Sequence, residues 1–489
     1  MFQLIRKFGV IEDISNGTRW DAPNFARQVE RRMAALARMR IDRGAMVAIG
    51  HGGTAYFFAD LFAVWSLGAA AICLDSALTS GELDTILRFS RPALFLTGEG
   101  GATPSFPVPV LDLDKTETSH VAVTPAAFDP DDPALVLFTS GTTGIPKGVV
   151  LSFGALAARV SLNTAVIGTS ALKRALITLP THFGHGLIGN ALTPLMAGGD
   201  IVLPPRGLPI AKELGRLIDD YRITFLSSVP TLWPMTMKLS GEPTRRSLRR
   251  VHIGSAPLPA GLWSDVASWT GAETVNCYGT TETANWISGA SSRVDGIVEG
   301  AVGGMWGGTA AVLADDGHIA SSGTGEILVR TPSLMSGYLY RSDLTAAAMR
   351  AGWLRTGDSG VVSEIGDIRI TGRLKDEINR AGFKIQPAEI DALLGRHPAV
   401  AEVCAFAIPE PVAGEIVGVA VKLTDGADET PATLRAWCRS RLRHEAVPER
   451  WFIVDDLPRN ARGKIGRDAV RRKVLEETTH DAPAGGPND

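Results

Sequence analysis

The stretch from Thr139 to Gly148 carries the strongest chemical signal in the sequence. It reads Thr-Ser-Gly-Thr-Thr-Gly-Ile-Pro-Lys-Gly and follows the apolar run 134–138, which is typical of a buried strand. Glycines let backbone N–H groups converge on an anion, while hydroxyls and a lysine add donors and charge. We therefore predict a phosphate-binding loop. Its predicted phosphate-binding residues are Thr139, Ser140, Gly141, Thr142, Thr143, Gly144 and Lys147.

This loop is not a Walker A motif. The Walker A pattern requires Gly at position 146 and Ser or Thr at position 148, where this chain has Pro146 and Gly148. A P-loop kinase or GTPase is therefore disfavoured. On composition alone, the remaining alternative for this loop is a flexible surface turn.

Six further segments follow the loop along the chain. They are Gly254-Ser-Ala-Pro-Leu258, Asn276-Cys-Tyr-Gly-Thr-Thr-Glu282, Trp353-Leu-Arg-Thr-Gly-Asp358, Gly372-Arg373, Gly382-Phe-Lys-Ile-Gln-Pro-Ala-Glu389 and Pro458-Arg-Asn-Ala-Arg-Gly-Lys464. In type and order, these segments and the loop resemble the motifs of the adenylate-forming superfamily of acyl-CoA synthetases, peptide-synthetase adenylation domains and luciferases. The resemblance extends from about residue 20 to residue 473, so a chance match is negligible.

The resemblance implies a reaction in two halves. A carboxylate first attacks the α-phosphorus of ATP, which gives an acyl adenylate and pyrophosphate. The resemblance assigns three catalytic residues to this step. Lys464 holds the carboxylate and the α-phosphate together, Thr281 donates to the α-phosphate, and Glu282 is the Mg²⁺ ligand, because a hard cation prefers carboxylate oxygen.

The same resemblance assigns residues to the nucleoside of ATP. Tyr278 is expected to stack on adenine and Asn276 to contact its edge. Asp358 is expected to accept from both ribose hydroxyls, with Arg373 supporting the ribose. The other predicted ATP-binding residues are Gly254, Ser255, Ala256, Pro257, Gly279 and Thr280.

In the second half-reaction, the resemblance implies that the C-terminal domain rotates about Lys375 and exchanges Lys464 for the loop around Gly382. Gly382 would line a thiol tunnel, because a residue without Cβ leaves room for a pantetheine arm. A thiol, most simply that of coenzyme A, then displaces AMP and leaves a thioester.

The acid is expected to be aryl or compact. Amino-acid-activating domains usually carry Asp in the motif that corresponds to 179–187, and this chain has no acidic residue there, so an ordinary α-amino acid is disfavoured. Many acid–CoA ligases have an aromatic residue followed by His in this motif, whereas here the order is reversed. Two histidines, His182 and His185, make a weak metal site without a third ligand, so pocket lining is favoured. The predicted acid pocket comprises His182, Phe183, Asn190, Cys277 and Trp286, although plain core packing is an equally compatible role for Trp286.

Several acceptors and functions stay open. Residues 435–473 hold 12 Lys or Arg against 5 Asp or Glu. Such a basic face suits the phosphates of coenzyme A or an acidic acyl or peptidyl carrier protein. A solvated helix face is equally compatible with this charge. A stand-alone adenylation enzyme that loads a carrier or another nucleophile is the close alternative. A non-catalytic nucleotide-binding relative and a luciferase-like oxygenase are more distant ones.

The elements that must position these residues form an α/β pattern. Asp21 and Pro23 precede apolar residues at helical spacing, and short apolar runs such as 46–49 and 70–74 alternate with helical segments. We predict a large N-terminal domain, 1–374, of mostly parallel sheets flanked by helices, with a β subdomain from about 309 to 370. A hinge at 375–376, a small mobile α+β domain at 377–475 and a disordered tail at 476–489 complete the prediction.

Composition limits the class of protein and its partners. The chain has 489 residues, of which 45% are hydrophobic and 21% charged, so two or three packed domains are expected. Its formal net charge of -3 does not indicate a nucleic-acid partner. The apolar stretch 61–74 is too short to span a bilayer, and no secretory signal starts the chain. We therefore predict a cytoplasmic protein without a membrane partner. Its four widely spaced cysteines are expected to be reduced and buried.

Overall fold

The computed structural model describes residues 7–98, 103–116, 123–127, 129–139, 147–205, 209–380, 383–459 and 465–480. The chain forms two compact units. One comprises Met1–Ala310 with Leu328–Arg355, and the other comprises Ala311–Ile327 with Thr356–Asp489.

The first unit contains an eight-stranded sheet whose inner strands are parallel, with an antiparallel strand at each end. Parallel strands covered on both faces are apolar along their length, and Ile201, Val202 and Leu203 fit this rule because all three are fully buried. In spatial order the strands are β14 (Asn285–Ser291), β13 (Glu273–Thr280), β12 (Arg250–Ile253), β11 (Phe225–Ser228), β9 (Arg174–Leu176), β10 (Asp200–Leu203), β1 (Ile11–Asp13) and β2 (Thr18–Trp20).

A second sheet of the same unit holds the strands that flank the predicted phosphate loop. β7 leads into this loop and β8 leaves it, and the two strands pair antiparallel so that Thr139 lies opposite Lys147. In spatial order the strands are β19 (Gly337–Tyr338), β8 (Lys147–Ser152), β7 (Pro133–Thr139), β4 (Ala70–Cys73), β3 (Met46–Ile49), β5 (Leu94–Thr97) and β6 (Val110–Asp112).

Helices flank these two sheets. The first helix, α1 (Ala22–Arg38), begins where the sequence predicts, because the Asp21 side chain accepts from the backbone N–H of Asn24 and Pro23 lies in the first turn. The other helices of the unit are α2 (Ala55–Ser66), α3 (Ser80–Ser90), α4 (Phe153–Ile167), α5 (Thr193–Met196), α6 (Ile210–Asp220), α7 (Trp233–Leu239), α8 (Ala260–Thr270) and α9 (Ser342–Ala348), with a π-helix at His185–Leu192 and 3₁₀ turns at Pro230–Leu232 and Thr281–Thr283.

A group of short, largely antiparallel strands follows, in agreement with the β subdomain predicted from about residue 309 to residue 370. Its longest hairpin joins β21 and β22, which bring Asp358 opposite Arg373. The strands after β14 are β15 (Ala301–Gly303), β16 (Thr309–Leu313), β17 (Ile319–Ala320), β18 (Gly323–Arg330), β20 (Met349–Arg350), β21 (Trp353–Val362) and β22 (Ile368–Arg373).

The rest of the second unit is a small α+β assembly with its own apolar core. Its strands are β23 (Ile378–Arg380), β24 (Phe383–Ile385), β25 (Val400–Glu410), β26 (Gly414–Leu423) and β27 (Arg450–Ile453), and its helices are α10 (Pro387–Leu394), α11 (Pro431–Arg439) and α12 (Arg467–His480), with 3₁₀ turns at Leu374–Asp376 and His444–Ala446. Residues 476–480 are helical, where the sequence predicted a disordered tail, because α12 is anchored by the buried Val470 and Val474.

The predicted α/β fold class is confirmed. Within the described part of the chain, none of the helices combines the length and the apolar character needed to span a bilayer. All four cysteines are buried and lack a disulfide, as predicted.

Candidate active site

A short turn between β13 and β14 displays Thr281 and Glu282. Thr283 fixes this turn, because its hydroxyl accepts from the Thr280 backbone N–H at 3.0 Å and lies 2.9 Å from the Asn285 carbonyl oxygen. A side chain at Gly279 would place Cβ 2.1 Å from that same carbonyl, so only glycine allows the two strands to approach here. The turn therefore has one defined shape, with Thr280, Thr281 and Glu282 half-buried.

The Glu282 carboxylate is held by Tyr338 from the neighbouring sheet. The Tyr338 hydroxyl donates to Glu282 Oε1 at 2.8 Å, and Lys147 Nζ lies 5.8 Å from the centroid of the same ring. Burial and the charge of Glu282 raise the pKa of the Tyr338 phenol, so this phenol stays protonated and donates. A cation, an aromatic ring and a carboxylate thus converge beside the predicted phosphate loop, of which Ser140, Gly141, Thr142, Thr143 and Gly144 lie outside the described residues.

Beneath the turn lies a fully buried arginine, Arg159 of α4. It donates to Ser333 Oγ at 2.7 Å, to Thr331 Oγ1 at 3.0 Å and to the Trp306 carbonyl at 3.3 Å, and burial lowers its pKa to about 10. The Ser333 hydroxyl in turn donates to the Thr283 carbonyl at 2.9 Å. Arg159 therefore braces the turn that carries Glu282 through one intervening serine.

The predicted adenine loop follows β12. Gly254 is buried, Ser255 and Pro257 are exposed, and Ala256 is half-buried. Ser255 has a left-handed backbone, with φ +68°, which is uncommon for a residue other than glycine. Its Oγ lies 2.7 Å from Nδ1 of His185, whose Nε2 lies 2.6 Å from Ser227 Oγ. The histidine therefore joins the π-helix to the adenine loop and to β11.

Two predicted adenine contacts lie on β13. Tyr278 is half-buried. Asn276 is 5% exposed, and its side-chain amide donates to the Ala301 carbonyl at 2.8 Å. This bond fixes the asparagine to a neighbouring strand, so its predicted contact with the adenine edge stays a prediction.

The predicted ribose pair lies in the second unit. Arg373 Nε is 2.6 Å from Asp358 Oδ1, and the carboxylate is buried while the guanidinium is half exposed. The turn around Asp358 is fixed by Glu326, which accepts from the Gly357 N–H at 3.1 Å, and by Thr356 Oγ1, which accepts from the Asp358 N–H at the same distance. The strand pairing thus orients the predicted ribose-binding carboxylate before any ligand binds.

The predicted acid-pocket residues have different surroundings. Trp286 and Cys277 are buried, and His182 and Phe183 are half-buried, with His182 Nε2 3.3 Å from Asp75 Oδ2. The Asn190 amide is held at both ends, since its Oδ1 accepts from the Thr178 N–H and its Nδ2 donates to the Leu176 carbonyl. Asn190 therefore fixes the end of β9, a role that is compatible with shaping the pocket from behind.

In the second unit, Lys375 is exposed in the 3₁₀ turn Leu374–Asp376, where the hinge was predicted. Gly382 and Lys464 lie outside the described residues. Arg467 of α12 lies 2.6 Å from Asp391 and 3.5 Å from Asp376, so an ion-pair cluster joins this turn to the last helix.

Among the described residues, no cluster of three or more His, Cys, Asp or Glu could hold a metal ion, so the pair His182 and His185 is not a metal centre of that kind. Sequence reasoning missed Tyr338, Arg159 and the bridging role of His185. Tyr338 is 56 residues from Glu282, and its only local signal is its position directly after Gly337.

Comparisons with known proteins identify relatives over most of the chain. The model of the AMP-binding enzyme family matches residues 10–339, and that of the AMP-binding enzyme C-terminal domain matches residues 389–464.

An oxalate–CoA ligase of Arabidopsis thaliana is 32% identical over 89% of this chain and 90% of its own length. A sulfoacetate–CoA ligase of Cupriavidus necator is 32% identical over 82% of this chain and 76% of its own. The structure of Bacillus subtilis O-succinylbenzoate coenzyme A synthetase with ATP and magnesium is 25% identical, with a TM-score of 0.86 over 96% of this chain and 98% of that one.

Proposed function

The chain belongs to the AMP-binding enzyme family, and we propose that it is an ATP- and Mg²⁺-dependent ligase that joins a compact carboxylic acid to coenzyme A. The family match confirms the predicted adenylate-forming superfamily, and the relatives confirm the predicted class of AMP-forming acid–thiol ligase.

The observation that carries the proposal is the Glu282 carboxylate, oriented by Tyr338 and adjoining a ring that also faces Lys147. A carboxylate oxygen is the ligand that Mg²⁺ prefers, and Mg²⁺ is usually bound by one or two carboxylates together with substrate phosphates, so a single Glu fits this ion. The ion would neutralise charge that develops on those phosphates.

The first half-reaction then follows from the predicted roles. Thr281 donates to the α-phosphate, Tyr278 and Asn276 receive adenine, and Asp358 with Arg373 receives the ribose. Lys464 neutralises the carboxylate and the α-phosphate as the acid oxygen attacks phosphorus and pyrophosphate leaves. Positioning and charge stabilisation supply most of the catalysis in such transfers.

For the second half-reaction, rotation at Lys375 brings Gly382 to the acyl adenylate, and the thiol replaces AMP. Free coenzyme A is favoured over a carrier protein because the relatives described above are named for coenzyme A. A reaction that consumes ATP and coenzyme A fits the cytoplasm predicted from the sequence.

Pyrophosphate release tests this function. The enzyme is incubated with Mg²⁺-ATP and a panel of short aliphatic, aryl, fatty and amino acids, each with and without coenzyme A. We expect turnover of a compact acid that rises strongly with coenzyme A. Pyrophosphate release that stops near one turnover would favour a carrier protein or another nucleophile as the acceptor. A product that depends on O₂ would favour an oxygenase. Absence of pyrophosphate release with every acid would favour a non-catalytic relative.

Two variants separate the half-reactions. Lys464→Ala is expected to remove most adenylation while preserving thioester formation from supplied acyl adenylate, and Gly382→Leu is expected to do the reverse. Equal loss of both steps in the Lys464 variant would contradict a mechanism with two conformations.

A further inference from the structure

A cavity of about 420 Å³ opens at the edge of the eight-stranded sheet, away from the candidate active site. Its polar lining comprises Arg249, Arg250, Arg293, Ser170 and Glu273. The volume lies in the range of small-molecule sites, roughly 300–1,000 Å³. None of these residues belongs to the motifs that identified the family, so the cavity requires an interpretation of its own.

The cavity and the candidate active site lie at opposite ends of the same two strands. Arg250 and Glu273 are the first residues of β12 and β13, and they lie opposite each other in the parallel register. The adenine loop and the Glu282 turn follow the last residues of these strands, and the four residues of β12 alone span about 13 Å. Ligands of open α/β sheets usually bind at the carboxyl ends of the strands, so the cavity is a separate place and not an extension of the reaction site.

The Arg250 guanidinium is held in one orientation. Its Nη1 donates to the Val166 carbonyl in the last turn of α4 at 3.2 Å, and its Nε donates to His252 Nε2 at 3.1 Å. The side chain is 13% exposed. Among the described residues, its Nη2 has no hydrogen-bond partner, so this nitrogen can donate to a ligand. The cavity thus contains one preorganised cation.

The charges that line the cavity do not balance. Glu273 is the only acidic residue in the lining, and its Oε2 lies 3.7 Å from Arg250 Nη1, so it offsets that arginine. Arg249 and Arg293 are exposed, and neither has an ion-pair partner in the part of the chain that the structure describes. Arg293 donates only to a neutral group, the Gly271 carbonyl, at 2.9 Å. Three arginines and one glutamate therefore leave a charge of +2 around one cavity.

We propose that this cavity binds the phosphate group of a small phosphate monoester, separately from the ATP, acid and thiol of the proposed reaction. A phosphate monoester carries about two negative charges at neutral pH, which match the charge of the lining. Guanidinium groups bind phosphate oxygens through paired N–H groups, which favours arginine over lysine at such a site. The volume exceeds that of a phosphate group, so a short carbon skeleton also fits.

Calorimetric titration of the full chain with inorganic phosphate and with glycerol 3-phosphate tests the proposal. Both probes are titrated into the wild-type protein and into the variants Arg249→Gln and Arg293→Gln, which change exposed side chains and therefore spare the fold. We expect each variant to raise the Kd about tenfold or more, because each removes charge-assisted hydrogen bonds to the phosphate. Arg246→Gln is the matched control, since this exposed arginine of the same segment does not line the cavity, and its Kd should stay within a factor of two of wild type.

A further variant separates this cavity from the predicted phosphate loop, which could also bind the probes. Lys147→Ala alters the loop and leaves the cavity lining unchanged. Phosphate binding that survives in Lys147→Ala and weakens in both cavity variants would support the proposal. Binding that is lost in Lys147→Ala and unchanged in both cavity variants would overturn it. An equal loss in Arg246→Gln would also overturn it, because general surface charge would then explain the binding.

The class of ligand is tested with succinate, which carries a similar charge on two carboxylates. We expect glycerol 3-phosphate to bind more tightly than succinate, and the reverse order would overturn the assignment to phosphate. Absence of saturable binding of both phosphate probes to the wild-type protein would overturn the site itself. These titrations contain neither ATP nor coenzyme A, so their result is independent of whether the protein proves to be a ligase.

Discussion

The Tyr338 hydroxyl donates to Glu282 Oε1 at 2.8 Å, across the boundary between the two large sheets of the first unit. The bond leaves the aromatic ring facing Lys147. Orientation of the carboxylate that is proposed to bind Mg²⁺ thus depends on a residue outside every motif that identified the site.

Replacing Tyr338 by Phe removes this bond and little volume. A hydrogen bond to a charged group contributes about 1.5–3 kcal/mol, so we expect kcat/KM for Mg²⁺-ATP to fall about tenfold or more. The Mg²⁺ concentration that gives half-maximal activity is expected to rise. Pyrophosphate release measured across Mg²⁺ concentrations checks this. Tyr340→Phe, at a 61% exposed tyrosine two residues away, is the control, and an equal loss in both variants would contradict the role of Tyr338.

The Asp358–Arg373 pair predicts how the enzyme discriminates among nucleotides. If Asp358 accepts from the ribose hydroxyls, Asp358→Asn should lose most of the preference for ATP over 2′-deoxy-ATP, because an amide oxygen is a weaker acceptor than a carboxylate. The ratio of kcat/KM for the two nucleotides is the measurement. Asp367→Asn, at the exposed end of the same hairpin, should keep the wild-type ratio. A ratio that Asp358→Asn leaves unchanged would place the ribose elsewhere.

Arg159→Met tests whether this arginine supports the Glu282 turn. The substitution removes a costly buried cation, but it also removes the donor to the Trp306 carbonyl, so the free energy of unfolding is expected to fall by about 1–3 kcal/mol. The variant also frees Ser333 from the brace under the Glu282 turn, and we expect kcat/KM for ATP to fall about tenfold. Urea unfolding and steady-state kinetics are compared on the same preparation.

Two further variants make the Arg159 prediction specific. Ser333→Ala should give a loss of the same size, because it removes the bond to the Thr283 carbonyl. Arg330→Met changes an exposed arginine that contacts Gly352 and Trp353, and it should remain near wild type. Wild-type kinetics in Arg159→Met would show that the brace is dispensable.

The burial of His252 predicts how the free energy of unfolding changes below pH 6.5. The folded protein keeps this ring neutral, because burial and then the charges of Arg250 and His185 lower its pKa well below 6.5, while the unfolded chain binds a proton near that pH. The unfolded state therefore binds more protons below pH 6.5, and the free energy of unfolding falls as the pH drops, by at most about 1.4 kcal/mol per pH unit from this residue. His252→Phe should flatten the slope between pH 5 and 6.5, and His444→Phe, at an exposed site, should not.

Much of the fold could be predicted because its signals are local. An N-cap aspartate with proline in the first turn predicted α1, and the apolar runs 46–49 and 70–74 predicted β3 and β4 to within one residue at the ends. The ordered motifs predicted the superfamily and enzyme class that the relatives confirm. These features depend on neighbouring residues, so a single sequence is sufficient to detect them.

The missed features depend on long-range packing. Tyr338 meets Glu282 only because β19 joins the edge of the second sheet beside β8, a pairing that two residues of strand cannot signal. The π-helix arises where His185 and Asn190 are both held by hydrogen bonds to strands, and its sequence has no marker that separates it from an α-helix. The helical residues 476–480 were missed because their polar sequence resembles a tail, whereas the apolar anchors lie one turn earlier.

Because all four cysteines are buried, the folded protein is expected to react very slowly with thiol reagents. Burial raises the pKa of Cys404 to about 12 and that of Cys438 to about 11, and it raises those of Cys73 and Cys277 as well, so at neutral pH the thiolate that such reagents require is scarce and inaccessible. The native enzyme therefore contributes almost no background to a colorimetric thiol assay. Disappearance of free coenzyme A can be followed directly in the reaction mixture, and every thiol lost from solution reports one thioester formed.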